Sequence, residues 1–241
     1  MTNLLFRKDA YLRSASASVI SVSEHGEIVF DKSVFYPNSG GQAGDIGEIS
    51  WPDRNSCVIE NTVKTDDGLP MLIASRDQVI PSVGTICKQT LDWTKRYRHM
   101  RMHTALHLLS VVIPLPVTGG QITSEKGRLD FDMPDAPEDK KILEDQLNNL
   151  ISKDYCVTET WISDEQLLQN PTLVKTMSVQ PPMGTGKVRL VKIGKDSQTI
   201  DLQPCGGTHV RKTSEIGRIV FGKIEKKGRQ NRRVSIRLAD E

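Results

Sequence analysis

Short runs of alternating apolar and polar residues dominate the first ~90 positions of the chain. The stretch "ASVISVSEHGEIVFDKSVF" (17–35) reads as two strands around Glu24-His25-Gly26, a hairpin signal. "CVIENTVKT" (57–65) and "MLIASRD" (71–77) read as two more, joined by a turn at Asp66-Asp67-Gly68. A glycine-rich loop, "YPNSGGQAGDIGEI" (36–49), lies between them. Many short strands with frequent turn signals predict a small β-barrel over residues 1–90. The pattern changes between Cys87 and Leu91, which sets the expected domain limit.

From Thr94 to Val112 the period becomes helical, with His103, Leu106, His107 and Ser110 on one face. Ala105, Leu108, Leu109 and Val112 make the other side apolar too, so this helix is expected to be buried. A second helix is predicted over 135–154, with Asp135 as N-cap, Pro137 in its first turn and a stripe of Leu143, Leu147, Leu150 and Ile151. "CVTETWI" reads as a strand, followed by a short helix capped by Ser163 and stopped by Pro171. "KVRLVKIG" and "QTIDLQ" form a β pair around Lys195-Asp196-Ser197 that runs straight into Pro204-Cys205. "RIVFGKIEKK" and "RRVSIRL" read as closing strands. Residues 91–241 are therefore expected to form an α+β domain, a sheet packed by a few helices. Gly40-Gly41-Gln42 and Gly119-Gly120-Gln121 read as turns.

Composition narrows the class. With 241 residues, 37% hydrophobic and 26% charged, the chain suits a soluble globular protein of one or two domains. Pro114, Pro116 and His107 interrupt its most apolar run, which excludes a bilayer span. Arg7 and Lys8 interrupt the N-terminus, which does not read as a signal peptide. The four cysteines are scattered without a C-x-x-C pair, which fits a reducing compartment and a cytoplasmic location. Net charge is only +2, but ten basic residues against two acidic ones lie between Arg211 and Arg237. A smaller group, Lys95, Arg96, Arg98 and Arg101, precedes His103. Such clusters suit an anionic partner or a solvated surface.

The candidate chemistry lies in two pairs. His103 and His107, four apart on a helix, can reach one ion. Cys205 and His209, also four apart, flank Gly206-Gly207, which leaves no side chain in the way of a sharp turn. One thiolate and three imidazoles suit Zn²⁺ at about 2.0–2.3 Å per ligand. Four protein ligands suit a structural zinc, whereas a catalytic one keeps or gains an open position. A Cys–His nucleophile is the competing use of Cys205, but it leaves His103 and His107 without a task.

The stretches "MRMHTALHLLS", "SEKGRLDF" and "LQPCGGTHV", in that order, resemble the editing domain shared by alanyl-tRNA synthetases and the free-standing AlaX proteins. "FYPNSGGQAGDIG" is similar to the glycine-rich segment before that domain, and "NRRVSIRL" to its basic closing strand. The resemblance implies an N-terminal barrel, then an editing domain of the type common to threonyl- and alanyl-tRNA synthetases, in the medium-length AlaX arrangement. It implies a zinc-dependent deacylase that removes serine or glycine from mischarged tRNA(Ala), with His103, His107, Cys205 and His209 as ligands and catalytic centre. Thr104 then lines the amino-acid pocket, unless its hydroxyl bonds back to its own helix. Gly206, Gly207 and Gln42 become further substrate contacts. Synthetases carry Q-K-G-S where this chain has Glu125-Lys126-Gly127-Arg128, so Glu125 can alter amino-acid choice or hold an ammonium group. Lys126, Arg128, Arg232 and Arg233 are the candidate tRNA contacts. The rival readings are a tRNA-binding module with a structural zinc, a Cys205 thiol esterase, and a threonyl-type editor.

Overall fold

A computed structural model describes residues 2–137, 139–176, 186–195 and 197–239. The chain divides into two units, Met1–Tyr97 and Arg98–Glu241, and the fold is mixed α/β. In the first unit β1 (Asn3–Leu4) leads into a single helical turn, α1 (Leu5–Lys8). Then come β2 (Ser14–Val22), β3 (Ile28–Phe30), β4 (Lys32–Ser33), β5 (Gly47–Trp51), β6 (Asn55–Lys64), β7 (Pro70–Ala74) and β8 (Ile86–Leu91). Six of these close a barrel in the order β2-β3-β7-β6-β5-β8. Period-two alternation turns Ala17, Val19, Ile28, Phe30, Ile49, Ile59, Leu72 and Cys87 into its core.

Strand β8, antiparallel to both β2 and β5, closes the barrel, so the pattern change at Cys87–Leu91 marks its last strand. The units divide a few residues further on, after Tyr97. The glycine-rich loop lets β5 approach β8: a Cβ on Gly47 would lie 2.2 Å from the Thr90 carbonyl oxygen. Arg96 anchors that loop. Fully buried, it donates from Nε to both carboxylate oxygens of Asp45, each at 3.0 Å, and from Nη1 and Nη2 to the carbonyls of Ala10 and Val34. Arg96 is thereby removed from the basic group that the sequence offers for phosphate.

Helix α2 spans Trp93–Val112. Met100, Met102, His103, Thr104, Ala105, Leu106, Leu108, Leu109 and Ser110 are all buried, so the second half of the helix is enclosed on nearly every side, while Lys95, Arg96, Arg98 and Arg101 fall in its first half. The second unit continues with β9 (Val117–Ile122), β10 (Lys126–Asp132), α3 (Lys140–Ser152), β11 (Cys156–Ser163), α4 (Asp164–Gln169), β12 (Lys187–Lys195), β13 (Gln198–Pro204), β14 (Ile219–Lys226) and β15 (Asn231–Leu238). A four-stranded antiparallel sheet runs β14-β15-β10-β9, and a three-stranded one runs β11-β12-β13.

Gly119-Gly120-Gln121 is strand, not turn: it is the middle of β9, where two glycines hide the β pattern. Close packing calls for small residues there and on β10. A Cβ on Gly120 would lie 3.1 Å from Leu129 Cδ2, and one on Gly127 only 2.7 Å from Met102 of α2. Helix α3 starts later than its sequence suggests. Asp139, not Asp135, is its N-cap, with Oδ1 accepting the Lys141 N–H at 2.7 Å. Ser163 caps α4 as expected, in a capping box with Gln166. The turn at Lys195-Asp196-Ser197 lies partly outside the described residues, since Asp196 is not among them.

Candidate metal centre

Helical spacing puts His103 and His107 one turn apart on α2, and the Cys205 turn follows β13 directly. The two pairs meet. One donor atom from each of His103, His107, Cys205 and His209 falls in a group whose members all lie within 4.8 Å of one another. Cys205 Sγ is 3.4 Å from His103 Nε2 and 3.3 Å from His209 Nε2. Bonds of about 2.0–2.3 Å set tetrahedral ligand atoms roughly 3.3–3.8 Å apart, so these separations and this borderline-soft donor set fit Zn²⁺.

A surrounding layer aims the rings. The Thr104 hydroxyl donates to the Met100 carbonyl at 2.9 Å, so at His209 Nδ1, 3.1 Å away, it acts as acceptor. His209 therefore carries its proton on Nδ1 and turns the Nε2 lone pair toward the thiol. The same hydroxyl accepts the Val210 N–H at 3.3 Å. His107 donates from Nδ1 to Asp201 Oδ2 at 2.9 Å, which leaves its Nε2 for the cluster. Arg189 of β12 clamps the turn by donating from Nη1 to the carbonyls of Cys205 (2.7 Å) and Gly207 (2.9 Å), and pairs with Glu159.

Electrostatics favour a cation. Burial opposes ionisation of Cys205, but His103 and His209 more than offset it and hold the thiol well below its usual range. Burial and the neighbouring His103 push His209 down to about 3. Burial also disfavours the charged form of His107, yet hydrogen bonds to Asp201 and Cys205 raise it to about 9. Asp201, though buried, is held at about 2 by His107 and Lys175. A thiolate thus faces three imidazoles in low-dielectric space, a charge that a metal ion neutralises, while the Asp201 carboxylate lies behind His107 and pairs with Lys175.

The other predicted residues are placed as follows. Thr104 is fully buried, with its hydroxyl committed to its own helix and to His209. Gly206 and Gly207 do not adopt left-handed φ, so the backbone conformation of the turn does not itself require glycine. Gly206 instead leaves room: a Cβ there would meet nothing within 4 Å, and Cys205 beside it is half-buried. Gln42 is buried in the first unit, its backbone tied to Ser39. Glu125 is exposed at the tip of the β9–β10 hairpin. Of the basic residues, Arg128 and Arg233 both grip Asp130, at 2.7 and 2.8 Å, and Arg232 bonds the Pro134 carbonyl.

Sequence reasoning missed Asp201, Gln203, Lys175 and Arg189. Two of them were within reach. Alternation along β13 puts Asp201 and Gln203 on the face that continues to Cys205. Arg237 stands directly opposite Lys126 in the β10–β15 register, and both are exposed.

Known families match parts of both units. The family described as threonyl and alanyl tRNA synthetase second additional domain matches residues 188–235, and that of class II (A) tRNA synthetases matches 9–95. The chain is 33% identical to the alanyl-tRNA editing protein AlaX-M of Methanosarcina acetivorans, covering 100% of both chains. With AlaX-M of Saccharolobus solfataricus the identity is 32%, over 97% of this chain and 98% of the other. With alanine–tRNA ligase of Caldivirga maquilingensis it is 31%, over 93% of this chain but 25% of the ligase. Among the described residues, no helix is long and apolar enough to cross a membrane.

Proposed function

Because the chain belongs to the family of alanyl-tRNA editing proteins, we propose that it is a free-standing deacylase, cleaving the ester that links a wrong amino acid, serine or glycine, to tRNA(Ala). The observation that carries this reading is the meeting of His103, His107, Cys205 and His209 beside a stretch of open space at Gly206. These four residues would hold Zn²⁺. When bound, the ion supplies a Lewis acid next to the ester. Asp201 and Thr104 keep the His107 and His209 rings in the ligating tautomer. Arg189 holds the Cys205–Gly207 turn rigid, and the bare Gly206 leaves the approach clear for the 3′ end of the tRNA. Glu125, exposed and anionic, is available to the ammonium group of the amino acid.

The tRNA backbone would meet the outer face of β10 and β15. There Lys126 and Arg237 lie cross-strand from each other and form no side-chain bond among the described residues. Like charges directly opposite destabilise a sheet, so this pair favours an anion between them. Arg128 and Arg233, gripped by Asp130, present fixed guanidinium planes on the same face.

The test is release of amino acid from Ser-tRNA(Ala) and Gly-tRNA(Ala) by zinc-loaded protein, with and without a chelator. Chelator-sensitive release is expected. No release from either substrate leaves only a tRNA binder. Release that survives chelation but not alkylation transfers the chemistry to the Cys205 thiol.

A further inference from the structure

Behind His107 lies a polar cage that the coordination chemistry alone does not require. The Asp201 carboxylate is completely shielded from solvent. Its Oδ2 accepts from His107 Nδ1 at 2.9 Å and from Gln203 Nε2 at 2.8 Å, while Oδ1 is 2.6 Å from Lys175 Nζ. Lys175 Nζ and Gln203 Nε2 each lie 3.4 Å from Ser110 Oγ, which donates to the His107 carbonyl at 2.8 Å. Ring and backbone of one ligand are thus gripped by the same four side chains. A carboxylate so buried persists only if neutralised. Here it has three partners on two oxygens: an imidazole N–H, an amide N–H and an ammonium.

We infer that Asp201 is the positioning residue for His107 and that Lys175 is its counter-ion, the pair together setting the charge presented at the metal centre. The charge count gives the reason. A dication with one thiolate and three neutral imidazoles carries one net positive charge. An uncompensated Asp201 would cancel it. Lys175 restores it, so Asp201 can orient the ring without quenching the centre's pull on an electron pair. Its side chain is 29% exposed, so the ammonium is partly hydrated as well as paired.

This inference rests on reading the four-residue cluster as a metal centre, and its test separates the two. The full-length protein, stripped of metal, is titrated with Zn²⁺ against a chelating dye, and nitrogen NMR reads the His107 tautomer. Asp201→Asn removes an anion and a fixed acceptor, so zinc affinity falls about 10–100-fold and the Nδ1–H tautomer is no longer enforced. Lys175→Met leaves the anion uncompensated, so affinity rises several-fold with the tautomer unchanged. A merely structural role would shift both variants in one direction. Should Asp201→Asn fail to fold by circular dichroism, Lys175→Met decides alone, and unchanged or weaker binding overturns the inference. If the unaltered protein binds no zinc, the metal reading falls and this inference with it. If it binds zinc and both variants match it, only this inference falls.

Discussion

One hydroxyl does three jobs beside the His103, His107, Cys205 and His209 cluster. Thr104 gives its only proton to the Met100 carbonyl and accepts from His209 Nδ1 and the Val210 N–H. Because every one of these groups is buried, losing the oxygen leaves two donors unsatisfied. Thr104→Val, nearly the same in shape, is expected to cost about 1–3 kcal/mol in denaturant unfolding and to weaken zinc binding about tenfold. Thr104→Ser should restore both. A pocket-lining role would instead move serine-against-glycine preference and leave zinc affinity alone. The spacing of the two pairs was legible in the sequence, because i and i+4 on a helix share a face whatever surrounds them. Their meeting was not legible from spacing, since His107 and Cys205 are far apart along the chain; the family resemblance pointed to it, and the packing of α2 against the Cys205 turn brings it about. Asp201 stayed hidden among ordinary strand residues, although counting back in twos from Cys205 reaches it.

At the level of elements, local chemistry overrode simple pattern in two places. Asp135 and Asp139 both precede the apolar stripe of α3, and only Asp139 reaches the Lys141 N–H. Asp139→Ala should therefore cost about 1 kcal/mol, while Asp135→Ala should leave the melting temperature unchanged. Strand β9 was obscured because Gly119 and Gly120 carry no side chain to alternate, although Leu129 across the sheet sits close enough to Gly120 to crowd a side chain there. The neighbouring pair β10–β15 carries its own pH signature. Partial burial works against ionised Asp130, but Arg233 and Arg128 hold its carboxyl below the usual aspartate range. A depressed folded value means the contribution is fully present above the ordinary pKa of about 3.9 and fades as pH falls through the lower folded one. Asp130→Asn should thus melt earlier than the parent near neutral pH, and the gap should close in strong acid. A gap that persists in strong acid would mean the link is steric, not ionic.

For the molecule as a whole, net charge is a poor guide: +2 overall conceals a concentration of cations toward the C-terminal strands. Structure sorts those cations further: Arg233 is tied to Asp130, Lys212 to Asp154, Lys227 to Glu225 and Arg232 to the Pro134 carbonyl, whereas Arg237 is exposed. Lys126→Gln and Arg237→Gln are each expected to lower the salt-dependence slope of tRNA binding by about one, with turnover of bound substrate preserved. Lys141→Gln, whose ammonium already pairs with Glu144 and Asp145, should leave that slope unchanged. The β13 strand imposes a last condition on the whole assembly. Asp201, Gln203 and Cys205 share a side only because an odd number of residues separates each from the next. Insertion of one residue between Gln203 and Cys205 would keep every chemical group and still rotate the sulfur to the opposite surface. Insertion of two would bring it back about 7 Å too far along. Here evolution is free to respell the strand but not to change its parity.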